Sequence, residues 1–401
     1  MGLNDTVSAE RITISFFGKR NAGKSSVVNA VTKQNIAIVS NVLGTTTDPV
    51  KKAMEILPIG PVLIIDTPGI DDSGTLGKMR VDKTLDVINK THIAVLVADV
   101  NSGITEYEKD LINIFNKKQI PFIVCFNKSD LLSEDISKNI SLKENEVLIS
   151  ALNKKGIDDL LNLIIKKADI VKTDKFILKD LVNRNDNVVL VIPIDAAAPK
   201  GRIILPQQQV LRELLDIGAV ITVCQDTELG VALKNLKNMP KLVITDSQAF
   251  GKIKNTVPLN VMLTSFSVLF ARYKGELNSL INGVKAFKNL KENDKVLISE
   301  GCTHRRQCGD IGTEKLPFWM QKYLGFNLNF EFTSGTEFKK DLSEYKLIVH
   351  CGGCMLNEKE MKYRINIANE NKVPITNYGI LIAFINGILN RALEPFKDIN
   401  I

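Results

Sequence analysis

The run Gly18-Lys19-Arg20-Asn21-Ala22-Gly23-Lys24-Ser25 constrains this chain more than any other feature. It sits between an apolar run and a helix-forming stretch, the setting in which such a loop binds phosphate. Glycines let backbone N–H groups curl around an anion, and the first helical turn adds positive potential. Lys24 is expected to neutralise the outer phosphates and Ser25 to offer its hydroxyl to Mg²⁺. Gly18, Ala22, Gly23 and Ser26 complete the expected phosphate cradle.

Further elements follow in order. Asp66-Thr67-Pro68-Gly69 ends an apolar run, so that Asp66 can hold Mg²⁺ through water and the Gly69 N–H can sense the γ-phosphate. Asn127-Lys128-Ser129-Asp130 ends another. The Asp130 carboxylate can accept both the N1 proton and the exocyclic amine of guanine, which adenine cannot supply together. Ser150-Ala151 follows the next run, where a backbone N–H can meet the guanine carbonyl. Gly44-Thr45-Thr46-Thr47-Asp48 stands where a mobile switch would sit.

Apolar runs at residues 11–17, 62–66, 93–99, 121–126 and 146–149 alternate with amphipathic stretches at 24–32, 106–117 and 157–167. Such alternation implies a parallel sheet covered on both faces. A second, small α/β unit is expected from about residue 188, with strands at 188–194, 220–223 and 242–245. A third is expected from about 259, with strands at 296–299, 327–332 and 347–349 and helices between them. The expected architecture is thus α/β in three units, at 1–168, 169–258 and 259–401; family resemblance implies that these are a P-loop GTPase domain, a middle dimerisation domain and a cluster-binding domain.

Residues 11–168 resemble the translation-factor-type GTPases, particularly the tRNA-modification and ribosome-assembly branch with its Gly-Thr-Thr switch. That resemblance implies Thr46 as the switch threonine on Mg²⁺, with Thr45 the alternative one residue away. Lys24, Thr46 and Gly69 are then the groups that act on the reaction. Ile70 stands where Ras-like relatives carry a water-positioning glutamine. Asn21 matches the asparagine that helps hold K⁺ in potassium-activated relatives; as a residue type it is equally a turn former.

Four of the six cysteines fall in the last third of the chain. Cys302-Thr303-His304 follows one expected strand and His350-Cys351-Gly352-Gly353-Cys354 follows another, so both open at the carboxyl edge of a parallel sheet. A redox Cys-x-x-Cys would leave Cys302, His304 and His350 unexplained. A structural zinc site and an iron–sulfur cluster both fit the ligand types and remain open on spacing alone. Cys125 and Cys224 lie inside apolar runs and are expected in the core. Cys308 is not part of the motif.

A Gly-Thr-Thr GTPase joined through a small middle unit to Cys-x-His…His-Cys-x-x-Cys resembles, over the whole chain, the HydF family of scaffold GTPases in [FeFe]-hydrogenase maturation. The resemblance implies a [4Fe–4S] cluster on Cys302, Cys351 and Cys354. His304 or His350 would be a fourth ligand or a donor beside the cluster. It implies a homodimer through the middle unit. Its implied partners are radical-SAM maturases, which supply a di-iron precursor, and apo-[FeFe]-hydrogenase, which receives it. The competing function is an RNA-acting GTPase of tRNA modification or ribosome assembly with a structural zinc.

Composition narrows the classes further. The net charge of +7 is spread over 401 residues without a clustered basic-aromatic surface, which argues against nucleic acid as partner. No apolar stretch reaches the ~18–20 residues of a membrane span; residues 378–389 read as a buried helix. Met1-Gly2 with Thr6 meets the short myristoylation pattern, which chance often meets. With no basic-then-apolar leader, a cytoplasmic location is expected.

Overall fold

The computed structural model describes residues 10–33, 49–68, 83–133, 140–171, 175–194, 201, 203–301, 310–335 and 338–396. The chain divides into two compact units, Met1–Asp174 and Lys175–Ile401.

In the first unit a six-stranded sheet has the order β2-β3-β1-β4-β5-β6. Its strands are β1 (Ile12–Phe17), β2 (Val50–Ile56), β3 (Gly60–Asp66), β4 (Ile93–Asp99), β5 (Phe122–Asn127) and β6 (Glu146–Leu148). Strands β1 and β4 are buried along almost their whole length, as strands covered on both faces must be. The helices are α1 (Lys24–Thr32), α2 (Glu106–Lys117) and α3 (Ile157–Val171). Helix α2 starts where Glu108 Oε2 accepts from the Thr105 N–H at 3.1 Å, half of a capping box. The expectation of a wholly parallel sheet needs one correction. Strand β2 pairs antiparallel with β3, Val50 opposite Asp66 and Ile56 opposite Gly60. Its sequence does not announce a strand because it is an edge: its side chains alternate between half-buried and exposed, and Lys51, Lys52 and Glu55 hide it among polar residues.

The second unit holds two four-stranded sheets, each wholly parallel. One has the order β10-β9-β7-β8, from β7 (Asn187–Val191), β8 (Val220–Cys224), β9 (Leu242–Thr245) and β10 (Met262–Ser265). The other has the order β12-β11-β13-β14, from β11 (Lys295–Ser299), β12 (Asn329–Thr333), β13 (Leu347–His350) and β14 (Ile375–Asn377). Strand β10 pairs with β9, so the middle sheet runs beyond residue 258, the end expected for it. The helices are α4 (Leu205–Ile217), α5 (Leu229–Asn235), α6 (Phe250–Ile253), α7 (Phe266–Lys274), α8 (Leu277–Phe287), α9 (Leu316–Leu324), α10 (Glu358–Glu370), α11 (Tyr378–Ile385) and α12 (Leu389–Leu393). One apolar core takes residues from both sheets, among them Leu190, Ile244, Leu263, Leu297, Ile348 and Ile375. The two sheets therefore share one core, and the second sheet has another of its own through Val296, Ile298, Leu347 and Val349. Helix α8 comes so close to β14 that a Cβ on Gly283 would lie 2.1 Å from the Ile375 carbonyl oxygen. Only glycine tolerates that approach. Cys125 is buried in the core of the first unit, and Cys224 packs half-buried against that of the second. Among the described residues no helix is long and apolar enough to cross a membrane.

Candidate functional sites at two sheet edges

The phosphate loop joins β1 to α1 and opens at the carboxyl ends of its sheet. Gly18 has φ 142° and Gly23 φ 85°. A Cβ on Gly18 would meet the Val97 carbonyl at 2.1 Å, and one on Gly23 the Asn127 amide at 2.3 Å. The loop is thus pressed against β4 and β5, and both glycines are sterically required. Asn21 has φ 62°, the left-handed geometry of a turn. Lys24 is buried, and its ammonium donates to the carbonyls of Gly18 at 2.9 Å and Lys19 at 2.8 Å. Ser25 Oγ donates to Asp66 Oδ2 at 2.7 Å. Asp66 is raised above the usual carboxylate range by burial, partly offset by Ser25 and by the charge of Lys24. Its Oδ1 is buried with no hydrogen-bond partner. A hydroxyl beside a carboxylate with one unsatisfied buried oxygen is a donor set suited to Mg²⁺. Ser26 is half-buried in the first turn of α1. Thr45, Thr46 and Gly69 lie outside the described residues.

Asn127 ties the base side of this site to the phosphate side. Its Nδ2 donates to the Ala22 carbonyl at 3.0 Å, and its Oδ1 accepts from the Ala151 N–H at 3.0 Å. Lys128, at φ 69°, pairs with Asp99 at 2.8 Å. Burial works against the Asp99 carboxylate, but Lys128 and the Asn101 N–H hold it below its ordinary range. The Asp130 carboxylate accepts from the Ser150 hydroxyl, which in turn accepts from the Asn153 N–H at 3.1 Å. Asn127, Asp130, Ser150 and Ala151 are therefore brought together as expected for a purine pocket.

The second edge belongs to the β12-β11-β13-β14 sheet. Strands β11 and β13 run parallel with Ser299 opposite His350. Each strand therefore ends level with the other, and the chain leaves both on the same side. Cys351 Sγ accepts from the Gly301 N–H at 3.1 Å and from the Gly353 N–H at 3.4 Å. Burial pushes the Cys351 thiol up to about 11; those two N–H groups oppose the shift and the Cys354 and Glu300 side chains reinforce it. Cys354 is half-buried on the same loop. Cys302, His304 and Cys308 lie outside the described residues, and among the described residues no three His, Cys, Asp or Glu are grouped to hold a metal. Glu300, buried, is 3.4 Å from the Tyr378 hydroxyl at the start of α11. Asp310 caps a π-helical turn, Ile311–Lys315, through the Thr313 N–H at 2.9 Å.

His350 is fully buried and both ring nitrogens are engaged. Nδ1 donates to the Cys351 carbonyl at 2.7 Å, and Nε2 accepts from Arg364 Nη1 at 3.0 Å. Burial first, and Arg364 second, lower its pKa to about 3, against the opposing pull of the Cys351 carbonyl. The imidazole is neutral at neutral pH and, so arranged, has no lone pair to offer a metal. In this arrangement His350 lies directly behind the cysteine loop, held between the Cys351 carbonyl and Arg364.

Two buried cations here are not singled out by the sequence. Arg364 of α10 is 1% exposed and also donates to the Gly335 carbonyl at 2.7 Å. Lys274, the last residue of α7, is 3% exposed. Its ammonium donates to the carbonyls of Gly353 at 3.0 Å, Cys354 at 3.1 Å and Leu356 at 3.0 Å. The available signal is spacing: Arg364 lies on the face of Met361, Ile365 and Ala368, and Lys274 on that of Phe270 and Ala271. A charge on the apolar stripe of a helix needs a buried partner.

Three family models match successive parts of the chain. Residues 13–128 match the family model of the 50S ribosome-binding GTPases. Residues 177–275 match the hydrogen maturase F dimerization domain and residues 278–395 the hydrogen maturase F tetramerization domain. The tRNA modification GTPase MnmE of Prochlorococcus marinus (strain NATL1A) is 34% identical over 167 residues, 40% of this chain and 36% of that protein. GTPase Der of Kosmotoga olearia is 31% identical over 193 residues, 44% of this chain and 43% of that protein. The chain thus spans less than half the length of either relative. Among solved structures, a variant of Aquifex aeolicus Era bound to GDP·AlF4⁻ covers 60% of this chain and 97% of its own at 19% identity and a TM-score of 0.34.

The purine pocket generates a direct test. Asp130→Asn replaces a carboxylate that would accept two guanine N–H groups, each such charge-assisted bond being worth about 1.5–3 kcal/mol. GTP affinity should fall roughly 100-fold or more, and xanthosine triphosphate, which carries a carbonyl in place of the amine, should bind better than GTP. Isothermal titration with both nucleotides checks this; an unchanged preference for GTP removes Asp130 from base recognition.

Proposed function

We propose, from the premise that the chain belongs to the hydrogen maturase F family of hydrogenase-maturation GTPases, that it is a GTP-hydrolysing carrier that holds a [4Fe–4S] cluster and delivers a di-iron precursor to apo-[FeFe]-hydrogenase. Radical-SAM maturases would supply that precursor. The observation that carries the reading is the 3.1 Å contact from the Gly301 N–H to Cys351 Sγ. It brings Gly301, the residue before Cys302 in the sequence, to the start of the Cys351–Cys354 loop although about fifty residues separate Gly301 from Cys351.

In the first unit, water attacks the γ-phosphorus of GTP, the bond to the β-phosphate oxygen breaks, and GDP and phosphate leave. Lys24 spreads the growing charge on the phosphates, the Gly69 N–H meets the γ-phosphate and Thr46 orders the switch over it. Ser25, Thr46 and Asp66 would hold Mg²⁺, which neutralises phosphate charge when bound. Ile70 offers no group to position water, so turnover should be slow. Asn21, backed by the Thr45-Thr46 segment, would hold K⁺ in place of an arginine finger. Hydrolysis is then expected to run several-fold faster in KCl than in NaCl at equal ionic strength; phosphate-release rates that coincide in the two salts remove the ion.

In the second unit, Cys302, Cys351 and Cys354 would hold a [4Fe–4S] cluster through three thiolates, leaving one iron to a weaker ligand. When bound, the cluster supplies that exchangeable iron as an attachment point. The chain's part is to hold it: Cys302, Cys351 and Cys354 as thiolates, Gly301 and Gly353 as N–H donors to sulfur, His350 locked behind. Protein reconstituted anaerobically with iron and sulfide should turn brown. Alanine at Cys302, Cys351 or Cys354 should lower bound iron to near background, while alanine at His304 or His350 should leave iron bound with an altered EPR signal. Colourless wild-type protein carrying zinc would instead favour a structural site in an RNA-acting GTPase.

The family models name dimerization and tetramerization domains, and the chain accordingly oligomerises. Strand β8 suits a dimer seam. Among the described residues it ends its sheet, with no strand beside one row of its backbone N–H and C=O groups, and Val220 and Val223 are each about half exposed. An edge of that kind templates pairing with a second copy, and lysine blocks it. Light scattering should report a smaller assembly for the double variant Val220→Lys, Val223→Lys than for the wild type; an unchanged mass places the seam elsewhere.

A further inference from the structure

A buried ammonium is costly unless every N–H is used. Lys274 uses all three on one stretch of chain, the carbonyls of Gly353, Cys354 and Leu356. The stretch includes the second cysteine of Cys351-Gly352-Gly353-Cys354. The lysine reaches it from the end of α7, about eighty residues earlier in sequence.

The consequence follows from peptide geometry. A trans peptide is planar, with its C=O and N–H pointing in opposite directions. Turning the carbonyls of Gly353, Cys354 and Leu356 toward one ammonium turns the N–H groups of Cys354, Met355 and Asn357 away from it. The same loop already donates the Gly353 N–H to Cys351 Sγ at 3.4 Å, and Gly301 donates to that sulfur from the neighbouring strand end at 3.1 Å. Sulfur that receives N–H donors, with a positive charge behind them, carries negative charge more easily, and a cluster so held has a higher reduction potential.

We propose that Lys274 is the positioning residue of the cysteine loop: by gripping three carbonyls it fixes the backbone that carries Cys354 and follows the Gly353 N–H on Cys351 Sγ, and with its own charge it raises the reduction potential of the cluster the loop helps to hold. This rests on the cluster reading above. Arginine does not replace it. Its planar fork spreads the donors apart, whereas these three carbonyls converge on one nitrogen.

The test has two arms and uses the full chain as wild type, Lys274→Gln and Lys274→Arg, with circular dichroism and GTPase rate as controls of folding. In cluster-free protein, amide hydrogen exchange across residues 351–357 should quicken in both variants while β11 and β13 stay protected. In anaerobically reconstituted protein, EPR-monitored titration should give midpoints in the order Gln below Arg below wild type. For Gln the reduction equilibrium should fall by about tenfold, which is about 59 mV for one electron. If Lys274→Gln does not fold, Lys274→Arg decides alone: a shifted midpoint supports the assignment. Unchanged exchange in a folded variant overturns it. So do quickened exchange and unshifted midpoints together, since the lysine would then be a brace and nothing more. Wild-type protein that binds no iron overturns the cluster reading instead, and does so before any variant is compared.

Discussion

The register of β11 against β13 is the constraint on which the second unit's chemistry depends. Ser299 faces His350 in adjacent parallel strands, and the Cys351 N–H donates back to the Ser299 carbonyl at 2.8 Å. A shift of one residue would move every side chain on β13 to the other face of the sheet. His350 would then lose the buried position in which Arg364 reaches it, and the two strands would no longer release Gly301 and Cys351 side by side. Parallel pairing brings distant segments to one edge, and the edge is where both sites of this chain lie. The first unit obeys the same rule: Phe16 lies opposite Asp66 and Asp99 opposite Asn127, so the phosphate loop, the Mg²⁺ carboxylate and the purine pocket all leave one sheet at its carboxyl ends.

What can be read from the sequence is set by how local the physical signal is. A phosphate loop is a contiguous stretch whose glycines are required by nearby backbone, so Gly18 and Gly23 stand out without any knowledge of tertiary contacts. Strands such as β1 and β4, buried on both faces, write themselves as unbroken apolar runs. Strand β2 does not, because an edge strand exposes half its residues and this one spends them on Lys51 and Glu55. Strand β14 is three residues long and runs directly into α11, so its sequence merges with that of the final helices. The end of the middle sheet is hidden for another reason. Residues 262–265 carry no mark saying which sheet they join; that is decided by β9, through pairs such as Leu263 with Val243.

The cysteine site divides along the same line. Its cysteines stand out in the sequence because the residue is rare and four of the six fall in the last third of the chain. Its supporting charges do not, because Lys274 and Arg364 resemble ordinary solvent-facing cations until their helices are packed. In the last turn of α7 a lysine is expected anyway, where it favours the helix dipole. Only burial separates that use from this one, and burial is a property of the neighbours. Here they include Leu356, buried in the same core as α7 residues Leu269 and Phe270.

The two loops at the two edges reach a common solution to one electrostatic problem. Each follows a parallel strand, and each keeps a buried lysine on its carbonyl oxygens: Lys24 on Gly18 and Lys19, Lys274 on Gly353, Cys354 and Leu356. The difference lies in where the lysine comes from. Lys24 belongs to its own loop, five and six residues from the carbonyls it holds, so it can exchange them for phosphate oxygens without disturbing the rest of the fold. Lys274 arrives from a helix about eighty residues away, packed into the core through Phe270 and Ala271. It cannot follow the loop, so the loop must conform to it. A lysine on its own loop can move with whatever the loop binds, whereas a lysine anchored in the core holds the loop above it in one conformation.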